Sequence, residues 1–141
     1  MSIINFRRDL HENPELSGQE FKTQKKIMKE LDKLGITYKK AGNTSLIATL
    51  KGGKDGKTVA LRGDIDALPI KEETDVEFKS KTSGLMHACG HDAHTSMLLG
   101  AAKILSEMKD EIPGEIRFFF QEGEETFSGA KKIIRHLAKL K

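Results

Sequence analysis

One cysteine, three prolines and no apolar stretch long enough to cross a bilayer set the first limits on this 141-residue chain. The lone thiol, Cys89, excludes an intramolecular disulfide and suits a reducing compartment, while leaving the sulfur available to a metal or for nucleophilic work. The apolar run Ile3 to Phe6 is cut short by Arg7 and Arg8, so neither a signal peptide nor a membrane span is expected, and a cytoplasmic setting is. Scarce proline and the lack of repeats or low-complexity tracts argue against collagen-like and disordered classes. A strong charge imbalance is also missing. The formal net charge is +3 and the lysines are scattered among acids without interleaved aromatics, so nucleic acid is not an expected partner. The most basic stretch, Lys131 to Lys141, reads as a solvated helix face.

Hydrophobic residues at 37% and charged residues at 32% are those of a globular protein, and residues 1–141 are long enough for one domain with a core of its own. A short helix is expected from about Ser2 to Leu10, ending before Asn13-Pro14. Ser17 with Glu20 three residues later reads as a capping box for a second helix, whose apolar face is marked by Phe21, Met28, Leu31 and Leu34 and which Gly35 closes. Ser45 to Leu50 and Thr58 to Leu61 read as strands, joined as a hairpin or close neighbours through Gly52, Gly53 and Gly56. Met97, Leu98, Ala101, Ile104, Leu105 and Met108 mark a strong helix, and Pro113-Gly114 stops the chain before the aromatic-rich run Ile116 to Phe120, a buried central strand. Ala130, Ile133, Ile134 and Leu137 mark a last helix. Strands alternating with helices predict an α/β fold, a sheet covered by helices, and in such folds functional residues gather beyond the carboxyl ends of the strands.

That rule directs attention to Asp64-Ile65-Asp66, to His87 through His94 and to Gln121 through Glu125. Three of the five histidines and the only cysteine fall within eight positions, His87 to His94. Thiolate and imidazole are ligands that borderline divalent metals favour, and a helix amino terminus next to Cys89 is expected to help keep the thiolate ionised. A helix-capping loop with Asp92 as the cap, or a closed structural zinc, would be the bland alternatives; one cysteine is too few for the second. Glu124 and Glu125 can divide their labour, one binding a cation and the other moving protons, although a Glu-Glu pair alone is common surface chemistry and Glu115 and Glu122 nearby show how easily it could be mere charge. Asp64 and Asp66 would share a face if the strand continued, where a buried acid can ligate a metal or orient a ligand; a turn-forming aspartate is the alternative.

Taken together, Arg7-Arg8-Asp9-Leu10-His11 through Pro14-Glu15-Leu16-Ser17, Asp64-Ile65-Asp66-Ala67-Leu68-Pro69, His87-Ala88-Cys89-Gly90-His91-Asp92-Ala93-His94, and Glu124-Glu125 with Gly129-Ala130-Lys131 resemble the aminoacylase and carboxypeptidase-like metallohydrolases. The likeness is greatest to the branch of hippurate hydrolase, indole-acetyl-amino-acid hydrolase and acetyl-diaminopimelate deacetylase, and it runs nearly the whole chain. It implies a three-layer zinc-exopeptidase-like sheet, incomplete at its carboxyl-terminal side. It implies Cys89, His91 and Glu125 as metal ligands, with Glu124 as general base and Asp66 beside it in the catalytic group. It implies two divalent ions per complete site (zinc, manganese or cobalt) that activate water against the amide of an N-acyl amino acid or short peptide. The chain departs from the pattern at Glu122-Gly123, where proline and alanine are common, and in length, since a lid domain and two further histidine ligands would lie downstream. It is therefore expected to be the inactive front portion of such an enzyme. The alternatives are a metal- or partner-binding remnant, or a small enzyme completed by a second chain or by self-association.

Overall fold

The chain opens with α1 (Ile3–Glu12), capped where the Ser2 hydroxyl accepts the Asn5 N–H at 3.2 Å. The computed structural model describes residues 2–139. After α1 come α2 (Phe21–Lys33), β1 (Thr37–Ala41), β2 (Ser45–Lys51), β3 (Lys54–Asp64), α3 (His91–Glu107), β4 (Pro113–Gln121) and α4 (Gly129–Ala138). The strands form one mixed sheet in the order β1-β2-β4-β3. Phe118 and Phe120 of β4, Leu46 and Ala48 of β2, Phe6 and Leu10 of α1, Ile27 and Leu31 of α2, and Leu98, Leu99 and Ala102 of α3 share one buried cluster. On the opposite face α4 lays Ile133 against Ala41 and Ile47. Helices thus cover both sides of the sheet, the expected three-layer α/β arrangement. Full burial of a side chain the size of Phe118 contributes roughly 1.5–3 kcal/mol. No helix among the described residues is long and apolar enough to cross a membrane.

The expected hairpin between the second and third strands does not form. β4 inserts between them, antiparallel to β2 with Ala48 opposite Phe118, and parallel to β3 with Leu61 opposite Phe118. The aromatic strand can fill both neighbours' apolar faces at once, whereas β2 paired with β3 would leave its side chains at an edge. The hairpin that does form joins β1 to β2, and β1 carried too few apolar residues to be foreseen. Pro113 is the first residue of β4, a position where no ladder donor is needed.

Two helices face the core only partly as their apolar periodicity predicts: Leu31 and Leu98 are buried and Met28, Leu34, Ala101 and Leu105 pack against the core, but others turn outward. Phe21 is 53% exposed, and α2 buries Thr23, Gln24, Ile27 and Leu31. The capping box is absent too, because Ser17 and Glu20 are committed to tertiary bonds described below. On α3, Met97 (62%) and Ile104 (61%) point outward, while Thr95, Ser96, Leu98, Leu99 and Ala102 are buried. Small residues on that face let α3 approach α1 and β3 closely, which a stripe of methionine and isoleucine would prevent.

The β3–α3–β4 crossover makes β3 and β4 parallel, so their carboxyl ends lie side by side with Asp64 opposite Gln121. The amino end of α3 reaches the same edge. Behind it lies a buried polar knot. His11 Nδ1 is 2.8 Å from Asp92 Oδ2, His11 Nε2 is 3.1 Å from Glu72 Oε1, and Arg7 reaches Asp92 at 2.6 Å. Glu72 also accepts the Thr74 hydroxyl and the Ser80 N–H, which pins the 65–90 connection onto α1. Burial alone would push the Glu72 carboxyl up, yet the hydrogen bonds from Thr74, Ser80 and His11 outweigh it and hold it at about 2, below its usual 4.5. A carboxyl with a depressed folded-state pKa stabilises fully above its unfolded value and loses that contribution as pH falls through the folded one. Glu72→Gln is therefore expected to be less stable than the parent at about pH 6, with the gap closing as pH falls from 4.5 towards 2. Urea unfolding at several pH values measures it, and a gap independent of pH would count against the carboxylate.

Candidate metal centre

Three connections deliver side chains to the carboxyl edge of the sheet. Asp66 stands two residues past β3, Cys89 and His91 flank the Gly90 cap of α3, and Glu124 and Glu125 lie in the turn between β4 and α4. β3 ends at Asp64, so the strand does not continue to Asp66 and the two acids do not share a strand face. Asp64 is held by Arg62 at 2.6 Å, while Asp66 turns into the site.

Asp66 is 1% exposed and ties the three connections together. Its Oδ1 faces His91 Nδ1 at 3.1 Å, and its Oδ2 accepts the Ser17 hydroxyl at 2.6 Å and the Glu125 N–H at 3.0 Å. His91 Nδ1 is also 2.9 Å from the Asp66 carbonyl, so two acceptors fix that nitrogen as the donor and leave Nε2 to the pocket. Burial would push the Asp66 carboxyl up, but the bonds from His91, Ser17 and the Glu125 amide hold it at about 2. Burial would likewise push His91 down, and the Asp66 carboxylate more than offsets it, so the imidazole is raised.

His91 Nε2 lies 3.8 Å from Glu124 Oε2 and 3.9 Å from Glu125 Oε1. Cys89, His91 and Glu125 each offer a donor atom within 4.8 Å of the others. Glu125 Oε1 is buried without a hydrogen-bond partner, an arrangement costly unless a proton or cation supplies one. Sulfur, nitrogen and oxygen donors converging on an orphaned carboxylate oxygen fit a borderline divalent ion. The helix terminus does not keep the thiol ionised as expected. The Glu125 carboxylate beside it, then partial desolvation, then the negative charges of Glu124 and Asp66 push the Cys89 thiol up.

A second trio, Asp64, His91 and His94, also lies within 4.8 Å. It competes for the same imidazole, which has one free nitrogen, and Arg62 already neutralises Asp64, so the trio with Cys89 is the better cation site. The histidine-rich segment is thus divided. His87 packs 6.5 Å from His11 with both nitrogens buried and unpartnered, and burial lowers it to about 4. His94 is half-buried, 3.5 Å from Asp64. Asp92 does not cap α3, since its carboxylate goes to His11 and Arg7.

Reading the sequence missed Ser17, Glu20 and Glu122 as supports of this site. Glu20 and Glu122 are 0% exposed. Ser17 lay within a motif already singled out, whereas no local pattern distinguishes a buried glutamate from a surface one.

Residues 60–141 match the model of peptidase family M20/M25/M40. The chain is 53% identical to thermostable carboxypeptidase 2 of Saccharolobus solfataricus, over 94% of this chain and 35% of that protein. It is 52% identical to an N-acyl-L-amino acid amidohydrolase of Geobacillus stearothermophilus (94% and 36%) and 48% identical to an N-acetylcysteine deacetylase of Bacillus subtilis (94% and 35%). The crystal structure of a dinuclear metal-binding peptidase from Bacillus subtilis superposes with a TM-score of 0.91 at 48% identity, covering 94% of this chain and 38% of that one. The chain spans about a third of the length of these curated relatives.

Proposed function

The chain belongs to peptidase family M20/M25/M40, and on that premise we propose that Cys89, His91 and Glu125 hold a divalent ion beside a general base, Glu124, as the front portion of an amidohydrolase site. The observation that carries the reading is the convergence of thiol, imidazole and orphaned carboxylate oxygen at the carboxyl edge of the two parallel strands. The names of the amidohydrolase and deacetylase relatives support N-acyl amino acids as the substrate class, and the carboxypeptidase supports short peptides.

A bound divalent ion, whether zinc, manganese or cobalt, supplies Lewis acidity that lowers the pKa of water and polarises an amide carbonyl. The remaining work falls to the protein. Asp66 holds the His91 ring so that Nε2 faces the pocket, and the same carboxylate fixes the Glu125 backbone. Glu124, about a third exposed, can rotate its carboxylate towards an attacking water, take its proton and return it to the departing amine. Asp66, enclosed and fully bonded, acts through His91 and Glu125.

A closed shell needs about four donors per ion, and this cluster offers three, so residues 1–141 alone are proposed to turn over little or no substrate. Donors from a downstream segment, from a second chain or from self-association would complete the shell. The test is metal analysis of the chain with zinc, manganese or cobalt, together with assays on N-acetyl and N-benzoyl amino acids. One weakly held ion without turnover is expected. Two ions with turnover would show a complete enzyme, and no ion at Cys89 would overturn the reading. Where turnover is found, Glu124→Gln is expected to lower it by at least about 100-fold with metal content unchanged. Activity that survived the change would remove Glu124 as the base.

A further inference from the structure

The tandem acids have little side-chain support of their own, so their placement depends on the turn that carries them. Gly123 adopts a φ of 57°, and its carbonyl accepts the N–H groups of Ser128 at 3.1 Å and Gly129 at 3.3 Å. Gly129 approaches so closely that a Cβ there would sit 1.5 Å from the Glu122 carbonyl oxygen. The turn is therefore pressed between β4 and α4, and what anchors it is Glu122.

Glu122 Oε2 accepts the N–H groups of Thr44 and Ser45, the latter at 2.7 Å, and its Oε1 takes the Lys132 ammonium from α4. The Glu122 N–H donates to Ser45 Oγ at 3.0 Å, a bond that proline at this position could not make. Next to it Glu20 accepts the Gly123 N–H at 3.0 Å, the Gly18 N–H at 2.8 Å and the Thr44 hydroxyl at 2.6 Å. Glu20, Thr44, Ser45 and Glu122 are all fully enclosed. Of the two buried carboxylates, only Glu122 has a cationic partner among the described residues, Lys132. Such a charge is held in place by its bonds, since leaving any of them unmade in a dry environment is expensive.

We propose that Glu122, paired with Lys132 and seated on the Thr44 and Ser45 amides, is the positioning residue of the metal turn. It fixes the Gly123–Glu125 backbone and through it the approach of Glu125 to Cys89 and His91. Glu122 touches neither ion nor substrate, and it links the β1–β2 hairpin and α4 to a turn that is otherwise tied to earlier parts of the chain by the Glu20 bond to Gly123 and the Asp66 bond to Glu125. The consequence for metal binding rests on the proposed function; the rigidity of the turn does not.

The test uses the 141-residue chain, first without metal. Hydrogen exchange is followed at the Gly123 and Glu125 amides and, for comparison, at Ala48 in β2. Cobalt affinity is then measured by titration. Glu122→Gln is expected to speed exchange at Gly123 and Glu125 about tenfold more than at Ala48, and to weaken cobalt binding about 10–100-fold. Lys132→Met leaves the carboxylate on its backbone donors and serves if the first variant does not fold; it is expected to shift both readouts in the same direction by less. Ile27→Val, in the core away from the turn, should lower the melting temperature while leaving the exchange contrast and the cobalt affinity as in the parent. Exchange at Gly123 and Glu125 rising only in step with Ala48 would overturn the positioning role. If the parent itself bound no cobalt, the metal reading would fail, while the metal-free exchange contrast would still decide whether Glu122 holds the turn.

Discussion

Replacing Cys89 with serine is expected to weaken cobalt binding by about 100-fold or more and to erase the thiolate-to-cobalt charge-transfer absorption. The fold should survive, because Cys89 is exposed and lies outside the apolar cluster. Sulfur is the softest donor of the trio, and a serine hydroxyl, neutral near pH 7, does not replace a thiolate as ligand. His94→Ala is the matched control. His94 belongs only to the competing trio, so its loss should change cobalt affinity by less than about twofold if the ion sits at Cys89, His91 and Glu125. The opposite pattern, affinity lost with His94 and kept without Cys89, would move the ion to Asp64.

The parts of this site that could be read from sequence are those whose chemistry is local. The Cys89-Gly90-His91 spacing brings thiol and imidazole to one helix terminus whatever the rest of the chain does. The aromatic run ending at Phe120 places the tandem acids at a strand end, and a crossover helix between two strands predicts that their carboxyl ends meet. Sheet order was not readable in the same way, because pairing is non-local. The glycines between β2 and β3 show where the chain turns, but β4 displaces the expected partner by burying aromatic side chains against both neighbours. Helix faces are legible only in part, for a related reason: Leu31 and Leu98 face the core as expected, and others do not. Hydropathy identified Met97 and Ile104 as inward, whereas the closeness of α3 to α1 and β3 selects for Ser96 and Ala102. Ser17 and Glu20 matched a capping box, yet their side chains are worth more to Asp66, Thr44 and the Gly123 amide than to a helix end that water can solvate. Glu122 is the extreme case. Its bonding partners lie more than 70 residues earlier or on the following helix, so nothing within its own segment marks it as buried.

Loss of the Asp66 carboxylate is expected to injure both the fold and the site, and two substitutions separate the effects. Asp66→Ala leaves the buried His91 Nδ1 and the part-buried Ser17 hydroxyl and Glu125 N–H with one acceptor fewer each. Unsatisfied buried donors cost about 1–3 kcal/mol each, so a total near 3 kcal/mol is expected after partial relaxation, visible as a lower midpoint in urea. Cobalt affinity should fall about 10–100-fold at the same time, as happens when a ligand histidine loses its carboxylate partner. Asp66→Asn keeps the volume and one acceptor oxygen, so much of the stability should return. Its amide group, however, must present N–H either to His91 Nδ1 or to the Ser17 and Glu125 donors, and in both cases donor faces donor. Stability recovered without metal affinity would identify the negative charge on Asp66 as what aims His91 Nε2 at the pocket. If asparagine restored both, the aspartate would be a packing element, and the orientation of His91 would have to come from the Asp66 carbonyl alone.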